Sequence, residues 1–324
     1  MSELPRVTFE PYEIERLSPL VATGLDPSEI PSLVAPEIDR DVARMHDEEF
    51  AATFHKYCPI DGATSEDYRR RLVSLPATDD RAPLTVIVGI RFLGGDTAHP
   101  FVEVERRSRA LTRVDDLNAL RAHALEPLSV FSAPKLRLFL TPEEETRLAG
   151  IPSEPDLRWV VGRIEHLRSL RPPSTKSKIE LRPPEDLSFY ERYEAAHTEV
   201  ARTFSPLMQA SVRLESRKSL QQALDDHALF ELWEGDTWSG IIAAVRGTGL
   251  GLPGFEVYEE LLAENVRGRG IAAGVQRSFL DRLPSRADDF LFGTILAENL
   301  PSLRTALRVG RTDLGGFHFF DSEA

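Results

Sequence analysis

Cysteine is almost missing from this chain: Cys58 is the only one in 324 residues. No intrachain disulfide can form, which excludes a small secreted scaffold held together by such bonds. Long apolar runs are missing as well. Nowhere does the chain hold the roughly 18 consecutive apolar residues of a membrane-spanning helix. The first ten residues carry no basic segment followed by an apolar one, so no signal peptide is expected and the expected location is the cytoplasm. Positive charge is in deficit, with 39 Lys and Arg against 52 Asp and Glu and a net charge of −13. Affinity for nucleic acid comes mainly from neutralising phosphates, so no nucleic-acid surface is expected. The acidity suits a cationic acceptor steered by charge, and equally suits plain solubility. The eight histidines show no metal-ligand spacing, and no metal site is expected.

The clearest punctuation is Arg171-Pro172-Pro173-Ser174-Thr175-Lys176-Ser177-Lys178, where prolines and small polar residues block helix and sheet. It places a domain boundary between residues 1–172 and 173–324. Both sides open alike, with a short strand (from Val7 and from Ile179), a proline stop and an acidic helix start. Later in the first half come a strand over Pro100 to Glu105, a helix over Asp115 to Phe131 and a strand over Lys135 to Leu140. In the second half, hairpin strands are expected from Ala228 to Trp233, Trp238 to Arg246 and Phe255 to Ala263. Gly247 to Gly254 reads as a flexible connection beside the acceptor pocket. A helix over Arg269 to Leu283, a buried strand over Asp289 to Leu296, a helix over Pro301 to Val309 and a strand over Gly316 to Phe320 complete it. The pattern predicts an α+β fold in two tandem copies, each a mixed, mostly antiparallel sheet flanked by helices.

The chemistry-bearing segment is Asn265-Val266-Arg267-Gly268-Arg269-Gly270-Ile271-Ala272, between a strand and a helix. The first N–H groups of a helix have no partner within it, and with the helix dipole they form an anion site. Glycines let a phosphate approach the backbone. Arg267 and Arg269 add positive charge, so the turn suits a pyrophosphate.

Arg267, Gly270 and Ala272 resemble the coenzyme-binding motif of the GNAT N-acyltransferases. Asn299, Ser302 and Gly310 resemble that superfamily's second motif, and the resemblance runs from about Lys178 to Phe320. It implies that the coenzyme A pyrophosphate sits on the backbone of Arg267, Gly268, Arg269, Gly270, Ile271, Ala272 and Ala273. It implies a pantetheine arm between two strands that splay apart, paired with the backbone of Leu262 and the side chain of Asn299. It also implies acetyl-CoA as acyl donor and a small-molecule amine as acceptor.

An amine must lose a proton before it attacks a thioester. Strict alternation along Phe255 to Leu262 would put Glu256, Tyr258, Glu260 and Leu262 on one face and Glu259 on the other. The family's habit of placing a base on this strand favours Glu256, then Glu260. Two departures from the family stand out: Ala306 where a tyrosine acid is usual, which leaves the thiolate to depart unassisted, to meet water or to take a proton from another group such as Ser302, and Arg311 where phenylalanine is usual. The first half has no glycines at the matching turn. It reads Arg106-Arg107-Ser108-Arg109-Ala110-Leu111-Thr112-Arg113, a basic loop expected to be solvated, in a copy without a normal coenzyme site. His197, Trp233 and Trp238 read as packing residues. Phe317, Phe319 and Phe320 belong to the core or to a domain or subunit contact, which leaves a homodimer open. The expected activity is direct acetyl transfer to an amine. The rivals are a non-catalytic acyl-CoA sensor and an acetyltransferase of protein N-termini or lysines.

Overall fold

The computed structural model describes residues 4–75, 82–172, 179–205, 208–209 and 212–322, with backbone alone for 4–7. In chain order the elements are α1 (Leu4–Leu17), α2 (Ile30–Ala43), α3 (Glu48–Tyr57), β1 (Arg71–Leu75), β2 (Leu84–Phe92), β3 (Pro100–Arg107), α4 (Val114–Ala124), β4 (Lys135–Leu140), α5 (Pro142–Arg147), β5 (Glu154–Arg163) and α6 (Ile164–Ser169). They continue with β6 (Ile179–Arg182), α7 (Tyr190–Ala201), α8 (Arg217–Asp225), β7 (Leu229–Glu234), β8 (Thr237–Gly249), β9 (Leu252–Leu262), α9 (Ala272–Arg282), β10 (Phe290–Leu296), α10 (Leu300–Val309) and β11 (Thr312–Asp321). Among the described residues no helix is long and apolar enough to cross a membrane.

The chain divides into two compact units, one of Met1–Val21, Asp26–Leu157 and Leu314–Ala324, the other of Ala22–Leu25 and Arg158–Asp313. This differs from a boundary at residue 172/173, and residues 173–178 of the linker lie outside the described residues. The reason is non-local pairing. β11, last in the chain, runs antiparallel to β4 from Gly316 opposite Leu140 to Asp321 opposite Lys135. Phe320 thereby enters the apolar core around Leu136, Leu138 and Leu140. Phe317 packs edge-on against Phe139, and Phe319 against Phe101. In the second unit, β5 takes the corresponding place beside β10.

Strand order in the first unit is β1-β2-β3-β4-β11, and in the second β5-β10-β9-β8-β7-β6. The two share a design. A run of antiparallel strands ends in one parallel pair, β3 with β4 and β9 with β10, each registered over three residues. The strand leading into that pair is bulged in both units. Ile87 and Val88 face Arg106 and Val104, leaving Glu105 as the extra residue. Ala243 and Ala244 face Glu259 and Val257, leaving Tyr258. A bulge adds twist and breaks the alternation of side chains.

Two local expectations change. The segment from Val7 is helical, within α1, and carries Pro11 inside the helix. Gly247 to Gly254 is no flexible loop: β8 and β9 pair as far as Gly249 opposite Leu252 and turn over Leu250 and Gly251, both with positive φ. Leu250 and Gly251 are thus a two-residue hairpin turn of the kind that left-handed backbone favours.

Candidate active site

In the second unit, β9 ends at Leu262 and a short helical turn, Glu264–Val266, leads to Arg267. Gly268 (φ +72°) and Gly270 (φ +69°) then turn the backbone through the left-handed region, and α9 starts at Ala272. Side chains disfavour that region, which is why glycine stands at both positions. Among the described residues, the N–H groups of Gly268, Arg269, Gly270, Ile271, Ala272 and Ala273 have no protein partner. Six successive donors at the start of an eleven-residue helix form an anion cradle. Arg269 is tied to Glu234 of β7 by a forked pair at 2.5 and 2.9 Å. Arg267 has no carboxylate partner among the described residues and lies over the Phe204 ring at 5.8 Å.

The cradle opens into a cleft of about 680 Å³. β9 and β10 pair only from Gly254 opposite Phe290 to Glu256 opposite Phe292. Beyond that point they part, and the β10-side edge of β9 up to Leu262 is left free. Leu262, Arg267, Gly268, Gly270, Ile271, Ala272, Asn299 and Ser302 all line the cleft. Of the expected coenzyme contacts, Arg269 and Ala273 stand beside the lining rather than in it. The side chain of Asn299 caps α10 by accepting the Ser302 N–H at 3.3 Å. Ala306 is fully buried within α10.

The bulge at Tyr258 rearranges the carboxylates. Counting from the registered pairs, Glu256 and Glu259 share the face packed by α7 and α8, while Glu260 faces α9. Glu260 lines the cleft and accepts a hydrogen bond from Gln276 Nε2 of α9. Burial pushes its carboxyl up to about 7, against the opposing pull of that bond and of the Arg311 charge. Glu259 also lines the cleft. Burial pushes it up to about 7 as well, opposed by the hydrogen bond from Tyr193. Glu256 is not part of the lining; burial, then the charge of Glu215, raises its carboxyl. All three perturbed groups share one strand, a mark of functional sites.

Sequence reasoning left Glu259 and His197 out of the site. His197 of α7 lines the cleft, its Nε2 buried without a partner among the described residues, and burial holds the imidazole below its ordinary value. A signal was there: Tyr190, Tyr193, His197 and Val200 repeat at helical spacing and so share one face. Thr203, Phe204 and Ser205 extend that wall, with Ser205 bonded to Glu298 at 2.9 Å.

In the first unit the matching turn is filled by the protein itself. The Leu111 N–H donates to Glu144 Oε1 at 2.6 Å, and the Thr112 and Arg113 N–H groups donate to Asp116 Oδ2. The basic run is solvated only at its end, where Thr112 and Arg113 are exposed. Arg106 is buried against Asp41 and Glu13, Arg107 against Glu144, and Arg109 pairs with Asp116 at 2.8 Å. Among the described residues no group of three or more His, Cys, Asp or Glu side chains could hold a metal ion.

No family model matches the chain, and no curated protein matches it. Among solved structures it is similar to a GCN5-related N-acetyltransferase from Sphaerobacter thermophilus, at 13% identity over 88% of this chain and 92% of that one, with a TM-score of 0.49. A GNAT-family acetyltransferase from Colwellia psychrerythraea is similar at 13% identity over 74% and 85%, TM-score 0.46. A tandem GNAT protein from the clavulanic acid biosynthesis pathway is similar at 10% identity over 86% and 97%, TM-score 0.42. Its own strand order, bulged β9, parting β9–β10 pair and glycine turn into α9 form a mixed, mostly antiparallel sheet flanked by helices, in two units that share a design.

Proposed function

We propose that the second unit binds acetyl-CoA and transfers its acetyl group to the amine of a small molecule. The observation that carries this reading is the run of six unpartnered N–H groups from Gly268 to Ala273, opening onto the cleft where β9 and β10 part. Those donors fit a pyrophosphate, and the free edge of β9 fits the amides of a pantetheine arm. Leu262 and Asn299 are the residues for that pairing, and Ser302 lies beside them.

The amine nitrogen attacks the thioester carbonyl. The C–N bond forms, the C–S bond breaks, and the coenzyme leaves as thiolate. Backbone N–H groups on the free edge of β9 stabilise the oxyanion. The surplus proton of the amine passes to a carboxylate, and a proton from Ser302 or water reaches the thiolate, so the products are an amide and a free thiol. Glu260 is better placed for the proton than Glu256, because it lines the cleft. Glu256 would have to act through a water. A carboxyl pushed to about 7 accepts and releases a proton near neutral pH.

The test is release of free thiol from acetyl-CoA in the presence of a panel of amines. The reading predicts amine-dependent release that Glu260→Gln lowers at least about a hundredfold, the scale of general-base loss. Tight acetyl-CoA binding with no release for any amine, protein N-terminal peptides included, would favour a non-catalytic sensor instead.

A further inference from the structure

The second unit buries an arginine that has no ion pair at contact distance among the described residues. Arg311 follows Gly310, the left-handed cap of α10 (φ +104°), and is 4% exposed. Its Nη2 donates to Gln276 Oε1 at 2.8 Å, and its Nε is buried without a partner among the described residues. Gln276, 3% exposed on α9, donates its Nε2 to Glu260 Oε2. The direction of this chain is forced by chemistry. A guanidinium has only donors, so the amide oxygen must face Arg311 and the amide N–H must face Glu260. The Glu260 oxygen it reaches is therefore an acceptor.

Burying a cation without a contact partner is costly, and an apolar residue of similar size would suit a buried position better. The cost has a counterpart on the far side of Gln276. Glu260 is the one carboxylate among the described residues whose charge acts on Arg311. The groups facing Glu260 are few. Arg311 faces it from the segment before β11, α9 offers the neutral Gln276, and Glu259 on the same strand points to the opposite face.

We propose that Arg311 is a positioning residue: acting through Gln276, it orients Glu260 in the cleft and keeps it as the carboxylate that takes the proton of the amine. This rests on the acyl-transfer reading above, and its test is built so that the two can fail separately.

The first readout needs no turnover. The side-chain carboxyl of Glu260, identified by its loss in Glu260→Gln, is titrated by carbon NMR in the full-length protein and in Arg311→Met. Loss of the charge is expected to move its midpoint up by about one pH unit or more. Acetyl-CoA binding, measured by calorimetry on the same samples, reports the coenzyme site and is expected to stay within about twofold. The second readout is the pH dependence of kcat/KM with an accepted amine. Its acidic limb is expected to move up with the carboxyl, with KM for acetyl-CoA unchanged, and Arg311→Met is expected to add no further loss in a Glu260→Gln background. Gln276→Met breaks the bridge while keeping the charge, and serves if Arg311→Met does not fold. It is expected to lower kcat about tenfold. An unmoved carboxyl midpoint would overturn the proposal. So would a moved midpoint with an unmoved pH–rate limb. Wild-type protein that binds no acetyl-CoA would sink the acyl-transfer reading, while the carboxyl titration still decides whether Arg311 acts on Glu260.

Discussion

Tyr193 on α7 donates its hydroxyl hydrogen to Oε2 of Glu259 on β9, joining the two elements that wall the cleft, and the same hydroxyl accepts the Glu215 N–H at 2.9 Å. The bond holds a carboxyl that burial pushes up to about 7. Its folded-state value lies above its unfolded one, so the folded protein binds the extra proton between the two. Stability is then lost as pH rises from about 4.5 to about 7, and the loss is complete above that window. Glu259→Gln keeps an acceptor for Tyr193 and removes the charge. The variant is expected to gain about 1–3 kcal/mol relative to wild type on going from pH 5 to pH 8. Urea melts of both proteins at the two pH values measure this; equal differences at both would contradict it.

Glu144 in the first unit has the opposite sign. Burial alone would raise its carboxyl, but the Arg107 charge and hydrogen bonds from Arg107 and from the Thr141 and Leu111 N–H groups hold it below the ordinary range. Its contribution is therefore full above the unfolded carboxyl value and is lost as pH falls. Glu144→Gln leaves Arg107 buried without its counter-charge and is expected to cost about 3–5 kcal/mol at neutral pH. The cost should shrink in acid, which melts at pH 4 and pH 7 would show.

Gly254 fixes the point where β9 meets β10. Its φ is +147°, and a Cβ there would stand 2.0 Å from the Phe290 carbonyl oxygen. Gly254→Ala cannot keep the three-residue pairing that precedes the parting of the strands. A loss of at least about 2 kcal/mol in stability is expected. Acetyl-CoA binding should weaken with it, at least about tenfold or ~1.4 kcal/mol. Unchanged affinity would mean that the pairing does not set the cleft.

Arg267 and Arg269 should separate. The fork of Arg269 is already engaged by Glu234, whereas Arg267 has no carboxylate partner among the described residues. Arg267→Ala is expected to weaken acetyl-CoA binding about tenfold, and Arg269→Ala by less than about threefold. Titrations at low and high salt test this, since the Arg267 effect should fade as screening rises.

Much of the site was legible because its signals are local. The glycines at 268 and 270 are demanded by their own φ angles, so Arg267 to Ala273 announced a turn before any fold was known. What escaped depends on partners distant in sequence. The extra residue at Tyr258 exists only relative to Ala243 and Ala244, so alternation along the strand misassigned the faces of Glu256 and Glu260. The division of the chain follows β11 pairing with β4, which no linker composition reveals. Arg106 and Arg107 looked solvated because Glu13, Asp41 and Glu144, which neutralise them, stand far away along the chain. Arg311 looked like a bare departure from a family pattern until Gln276 and Glu260 were seen beside it.

The proposed function gives this tandem protein one open coenzyme turn, in the second unit, and a first unit whose matching turn is filled by its own side chains. Calorimetric titration of acetyl-CoA into the full-length protein tests it most directly, with Gly270→Asp as control because a carboxylate there opposes the pyrophosphate. One molecule per chain is expected, and none in the variant while its melting curve stays close to that of wild type. Two molecules per chain, or none in the wild type, would contradict it.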